Sequence, residues 1–255
     1  MNPLAYKQFL ELDRTHWWMR GRRKVYLGLL EHLLRAKRPK RVLDLGAGIG
    51  GFLEGLDEIK AEGGRVFPAD IDAESLGHIA NRGFPGGIVA DGSALPYKDG
   101  SFDLICLFDA IEHTPDDLAV MVEIERVLAP GGHLFVSVPA YQFLFANNDR
   151  VAQHFRRYRR GRLDELFQRA GMTVVRNTHT NVFLFPLILP VLLVIKTMEK
   201  VFRMKADPNH TNLTWPMPRF VHSILAGVFG AELPFSKRFG WPAGHSICAL
   251  ARKGS

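Results

Sequence analysis

The chain has 255 residues, 47% of them hydrophobic and 23% charged, a balance that suits one large folded domain with an insertion and excludes a wholly disordered or fibrous protein. Lysine and arginine outnumber aspartate and glutamate by 33 to 26, giving a formal charge of +7. That excess favours an anionic partner without choosing among nucleic acid, anionic lipid and a phosphorylated substrate. The two cysteines, Cys106 and Cys248, sit in apolar runs and read as reduced core residues. The first residues lack the charged start and apolar core of a signal peptide, so a cytoplasmic location is expected.

Residues 6–35 read as helices, with Val25, Leu29, Leu30 and Leu33 at helical spacing, and 1–38 as a helical cap. Within it, His16-Trp17-Trp18-Met19-Arg20-Gly21-Arg22-Arg23 supports two readings: tryptophans that anchor the cap with arginines in solvent, or a lid over a ligand. Next comes Val42-Leu43-Asp44-Leu45-Gly46-Ala47-Gly48-Ile49-Gly50-Gly51, an apolar run and then a cluster of glycines. It reads as a buried strand, a tight turn and the start of a helix. Glycine there removes side chains from a strand end that a ligand crosses. Gly46, Gly48 and Gly51 also fit G-x-G-x-x-G, so the glycines alone leave a nicotinamide dinucleotide open. Asp44 weighs against it, because a carboxylate two residues before the first glycine repels a pyrophosphate and favours a cationic ligand.

The string Val42 to Gly50 closely resembles motif I of the class I S-adenosylmethionine-dependent methyltransferases, whose cofactor carries a sulfonium and an ammonium and no phosphate. The resemblance covers 41–178 and the last strand. It implies a Rossmann-like, doubly wound α/β sheet of seven strands in the order 3-2-1-4-5-7-6, with the last strand antiparallel. It also implies a cofactor lying on Asp44, Gly46, Ala47, Gly48 and Gly50. A His-Trp-Trp and arginine string like that of the cap recurs in a bacterial branch of the family. In the lid reading Trp18 covers the cofactor, and one of Arg20, Arg22 and Arg23, with Arg22 preferred, pairs with its methionine carboxylate.

The strand Arg65 to Ala69 delivers Asp70-Ile71-Asp72, where Asp70 can accept from both ribose hydroxyls and Asp72 caps the helix that follows. Ile71 and, on the fourth strand, Phe108 belong to the same expected cofactor set. A third strand, 87–90, leads to Asp91-Gly92, which matches the family's adenine site. The fourth, Phe102 to Phe108, is nearly all apolar, as a central parallel strand should be. Its end, Asp109-Ala110-Ile111-Glu112-His113, places polar groups where open parallel sheets bind ligands. His113 is a candidate base there, against a purely structural role for the Glu-His pair.

A helix over 116–128, a stop at Ala129-Pro130-Gly131-Gly132, and a fifth strand over 133–138 follow. The loop 142–161 carries His154 and Tyr158 as alternative proton acceptors. Its cluster Arg156-Arg157-Tyr158-Arg159-Arg160 is either a solvated face or a binding site for an anionic acceptor group. No histidine or cysteine pair has ligand spacing, so no metal is expected. After a helix over 163–170 and a sixth strand over 172–177, the seventh falls at 245–251, which leaves 179–243 as an insertion in a core of 39–178 plus 244–253. The insertion opens with fourteen uncharged residues, 182–195, too short to span a bilayer, where about 20 are needed. Lys196, Lys200, Arg203 and Lys205 follow. Segment 182–205 thus suits either the inner membrane surface or burial in the core or in a homodimer contact.

The resemblance implies in-line methyl transfer from S-adenosylmethionine, leaving S-adenosylhomocysteine, with a base needed only for a hydroxyl or protonated amine acceptor. A small or lipid-linked acceptor with an anionic head suits the apolar insertion. An RNA substrate is the rival, disfavoured by that same apolar surface. A nicotinamide oxidoreductase or a non-catalytic binding protein on the same fold remains as a further alternative.

Overall fold

Buried apolar runs become the strands of one sheet. The protein, a computed structural model describing residues 10–34, 38–207 and 215–254, contains Arg41–Leu45 (β1), Arg65–Asp70 (β2), Ile88–Val89 (β3), Phe102–Phe108 (β4), Leu128–Pro139 (β5), Met172–Thr180 (β6) and Ser246–Lys253 (β7). Their order is β3-β2-β1-β4-β5-β7-β6, with β7 antiparallel to both neighbours, as expected. β1 is buried at every position after the first, because parallel strands in the sheet centre are covered on both faces. The period of two in β4 divides the core. Leu104 and Cys106 meet Val25 and Leu29 of the helix Trp17–Leu34 (α1) and Leu56 of Leu53–Ile59 (α2), while Ile105 and Leu107 join the opposite cluster, which holds Met121 and Ile124. Cys106 and Cys248 are buried and unpaired with each other.

Capping residues act as their chemistry requires. Asp72 accepts from the Ser75 amide at the start of Ala73–Asn81 (α3), and Asp116 accepts from the Leu118 and Ala119 amides at the start of Asp117–Val127 (α4). The Ala129 to Gly132 stop proves to be a bulge within β5. Phe102 pairs with Leu128 and the register then jumps to Leu104 with His133, so the glycines displace the strand without ending it. The 142–161 loop is built from a 3-10 turn, Gln142–Leu144, a short helix, Asn147–Val151 (α5), and a bridge from Ala140 to Tyr158. The next helix begins at Arg160 and runs Arg160–Arg169 (α6), and β6 reaches Thr180, beyond the expected Asn177.

The insertion is helical: Phe185–Val201 (α7), Arg219–Ala231 (α8) and Leu233–Arg238 (α9). Pro186 stands in the first turn of α7, where its missing N–H costs nothing, and Pro190 forfeits one hydrogen bond. α8 packs along α1, so that a Cβ at Gly21 would collide with the Phe229 ring. Cap and insertion therefore form one layer over the same face of the sheet. The buried Glu232 fastens that layer, accepting from the Asn181 and Val182 amides at 2.7 and 2.6 Å. Burial pushes its carboxyl up to about 7. No described helix is long and apolar enough to cross a membrane. The expected cap residues 6–9 and 35–37 and insertion residues 208–214 lie outside the described residues.

Candidate active site

A cavity of about 430 Å³ opens over the carboxyl ends of β1, β4 and β5, roofed by α1 and α7. The sequence places its two ends differently. The donor end is the glycine turn. Gly48 has φ +52 and no atom within 4 Å of where a Cβ would stand, so it keeps a lane open for a ligand. Gly46 borders the cavity but is small for another reason, since its Cβ would meet that of Ala110 at 2.7 Å; Gly50 is packed against Ile79 and takes no part in the lining. The expectation that every glycine clears the ligand is thus corrected: two of them clear the protein's own side chains. Asp44 lines the cavity while only 2% exposed, and burial, with Asp70 nearby, raises its carboxyl to about 8. An incoming cation would draw off that proton.

Trp18 both anchors and lines. It stands edge-on to His245 at 5.2 Å, packs on Phe229, and borders the cavity beside Trp17. Of the three arginines only Arg22 reaches the cavity; its Nη1 donates to Asp109 Oδ2 at 2.8 Å and its guanidinium lies 5.3 Å from the Phe52 ring centroid. Arg20 is taken up by Ser223, and Arg23 by Gly51 and Asp13. Ala47 and Phe108 line the cavity, Phe108 stacked on Phe52 with ring centroids 3.8 Å apart.

Four expected cofactor residues lie beyond the enclosed space, at the carboxyl ends of β2 and β3. Asp70 spends its carboxylate on the amides of Gly48 and Asp72, at 2.7 and 2.9 Å, and so braces the turn. Ile71 is 70% exposed, Asp91 accepts from Ser93, and Gly92 faces Val120. None of the four borders the cavity.

The acceptor end is assembled from distant segments. His113 and His154 both line it, their rings edge to face at 4.6 Å. Burial, then the neighbouring His154, lowers His113 to about 3, which keeps it neutral. Glu112 is fully buried, and burial followed by the Asp109 charge pushes its carboxyl well up. His154 Nδ1 lies 2.9 Å from Asp149 Oδ1, which also accepts from Arg157 Nε at 2.8 Å. Burial would raise the Asp149 carboxyl, but the His154 hydrogen bond and the Arg157 charge outweigh it and hold it at about 2. Tyr158 is corrected as a proton acceptor. It is fully buried away from the cavity, its hydroxyl donates to Asp117 at 3.2 Å, and burial followed by the Asp117 charge holds it well above the usual phenol range. Arg156 and Arg162 also pair with Asp117 and Arg157 with Asp149, so these arginines act as internal braces.

Sequence reasoning named Asp109 only within the polar run after the fourth strand, and missed Asn181 and His245 at this end. Asp109, at the end of β4, and Asn181, at the end of β6, have left-handed φ of 52 and 55, a cost of about 1–2 kcal/mol each. Both face the cavity. Asn181 leaves both side-chain amide atoms unpartnered there, and His245 leaves Nδ1. No local pattern marks either residue. Leu187, Ile188, Val191, Leu192 and Ile195 of α7, with Leu225 of α8, make the remaining wall apolar.

Residues 18–183 match the family model described as a methyltransferase domain. A Mycolicibacterium smegmatis protein named as an S-adenosylmethionine-dependent methyltransferase is 30% identical over 167 residues, 64% of this chain and 62% of that one. The chloroplastic tocopherol O-methyltransferase of Arabidopsis thaliana is 30% identical over 148 residues, 51% of this chain and 41% of the relative. The match thus spans less than two thirds of either relative's length. A SAM-dependent methyltransferase structure from Thermotoga maritima shares the fold with a TM-score of 0.58 at 17% identity, over 99% of this chain and 100% of that one. The turn, the sheet order and these likenesses agree: the chain belongs to the class I S-adenosylmethionine-dependent methyltransferases.

Proposed function

We propose that the protein transfers the methyl group of S-adenosylmethionine to a hydrophobic, lipid-like acceptor with a polar reactive head. The observation that carries this reading is the continuity of one cavity from Gly48 and Asp44, past His113 and His154, to the apolar face of α7. The sulfonium end of the donor would lie at the turn, the acceptor's head between the two histidines, and its tail along Ile188 and Leu192. Transfer is then an in-line displacement, with the acceptor atom forming its bond to the methyl carbon as the carbon–sulfur bond breaks toward sulfur. The walls supply alignment and exclusion of water. One relative is named as a tocopherol O-methyltransferase, which supports this reading. A largely apolar lining fits RNA poorly.

Docking at an anionic membrane surface supports delivery of such an acceptor. Most of the large exposed apolar side chains belong to the insertion, among them Val194, Val201, Phe202, Phe220 and Ile224. Lys196, Lys200, Arg203 and Lys205 stand beside them. Radiolabelled methyl transfer from S-adenosylmethionine to fractionated lipid, RNA and soluble metabolite pools tests the reading. Label in the lipid fraction is the expected result, and label in RNA alone would overturn it. Flotation with anionic vesicles tests the docking, and a protein that stays at the bottom of the gradient would reject it.

A further inference from the structure

Glu112, His113 and His154 have side chains whose shared geometry methyl transfer alone does not require. Glu112 is fully buried and borders the cavity. Beyond its own backbone amide, neither of its carboxylate oxygens has a hydrogen-bond partner among the described residues. The other carboxylates nearby are neutralised, Asp109 by Arg22 and Asp149 by Arg157. Among the described residues Glu112 has no such ion pair, and a buried carboxylate left in that condition is costly.

Two imidazoles converge on it. One candidate ligand atom from each of Glu112, His113 and His154 lies within 4.8 Å of the others. Asp149 can only accept, so the proton of His154 sits on Nδ1 and its Nε2 carries the lone pair. The His113 ring likewise lies near the backbone carbonyls of Gln153 and Ala152, which favour a proton on the ring nitrogen that faces them. Outer hydrogen bonds to a carboxylate and to backbone carbonyls are the arrangement that orients metal-binding histidines. The two loops are tied together by Phe155 N donating to Glu112 O at 2.8 Å.

We propose that Glu112, His113 and His154 bind one divalent transition-metal ion at the acceptor end of the cavity. Two imidazole nitrogens and one carboxylate suit Zn²⁺, Mn²⁺, Fe²⁺ or Co²⁺ better than the oxygen-seeking Mg²⁺ or Ca²⁺. Three ligands about 2.0–2.2 Å from one ion stand roughly 3.0–3.8 Å from each other, so atoms lying within 4.8 Å of one another reach that arrangement by closing about 1 Å. Three protein ligands leave coordination positions for an acceptor atom. In this extension, which rests on the methyl-transfer reading, a hydroxyl oxygen of the acceptor binds the ion and releases its proton to bulk water. Its lone pair then forms the carbon–oxygen bond as sulfur keeps the electrons of the bond to the methyl group.

The binding site itself is tested without turnover. Tag-free full-length protein, stripped with chelator, is titrated calorimetrically with ZnCl₂, MnCl₂ and MgCl₂ separately. One Zn²⁺ or Mn²⁺ per chain is expected, weakened about 100-fold or more in Glu112→Gln and His154→Ala, with circular dichroism reporting whether each variant folds. Should those variants fail to fold, pulsed paramagnetic resonance of the Co²⁺-loaded wild type should still show two imidazole nitrogens. No stoichiometric binding, binding that survives both substitutions, a preference for Mg²⁺, or a Co²⁺ spectrum without imidazole would overturn the site. Asp44→Asn, which should weaken S-adenosylmethionine binding, should leave metal affinity unchanged. A bound metal with no methylated acceptor would refute the methyl-transfer reading while leaving the site standing.

Discussion

The two ends of the cavity are built on opposite plans. The donor end is a local object: Asp44, Gly46, Ala47 and Gly48 are neighbours in the chain on the turn that joins β1 to α2, which only the adjacent β2 braces, through Ala69 and Asp70. The acceptor end gathers Glu112 and His113 after β4, His154 from the loop after β5, Asn181 after β6, His245 before β7, and the α7 wall. A local turn can be kept while the distant segments diverge, which is how one donor site can serve many acceptors.

The sharpest way to break this contrast is at the turn. Gly48→Val fills the open lane and should lower S-adenosylmethionine affinity by about 100-fold or more in calorimetry. Gly50→Ala, whose Cβ would lie 2.9 Å from Ile79 at φ +73, should act on folding, at about 1–3 kcal/mol in urea denaturation. Wild-type cofactor affinity in Gly48→Val would end the donor assignment. Next in size is Asp109→Ala, which strands the part-buried Arg22 guanidinium. A loss of about 3 kcal/mol is expected, and a change under 0.5 kcal/mol would show that the pair is mere surface decoration.

At the other end, Ile188→Glu puts a charge in the apolar wall. It should cut kcat/KM for a hydrophobic acceptor about tenfold or more and leave cofactor affinity intact. Equal loss of both would mean that the two ends are not separable. The pH dependence of cofactor binding is a finer probe. Asp44, raised to about 8 by burial and then by Asp70, is protonated in the empty site below that pH. A cationic ligand must displace this proton, so affinity should rise with pH toward 8, at most about tenfold per unit, and level off above it. Calorimetry in buffers of different ionisation enthalpy would register the released proton. Asp44→Asn should flatten the profile. The smallest effect on folding is expected outside the cavity: Val194→Ser with Phe202→Ser, both well exposed, should change stability by about 0.5 kcal/mol or less. The same pair should reduce vesicle flotation, and unchanged flotation would remove the insertion from the docking surface.

Much of the sheet was legible because burial on both faces makes β1 and β4 mostly apolar, with Asp44 and Asp103 as exceptions, and a cap such as Asp72 acts within three residues of itself. The donor turn was legible for the same reason of short range. Even so, the roles of its glycines were not, since only folding brings Ala110 and Ile79 against Gly46 and Gly50. Tyr158 reads as an alternative proton acceptor in sequence, but its hydroxyl donates to Asp117; the arginine cluster reads as a solvated face or an anion site, but Arg156 and Arg157 pair internally with Asp117 and Asp149.

The sequence by itself determined the donor: a carboxylate before a glycine turn is a local electrostatic choice that needs no partner to be read. Only the tertiary structure decided the acceptor end. Glu112 and His113 meet His154 across 41 residues of chain, and α7 becomes a cavity wall by folding back against the turn Gln142–Leu144. Side-chain chemistry at that range is set by which strand ends the sheet order brings together, and that order is a property of the whole fold.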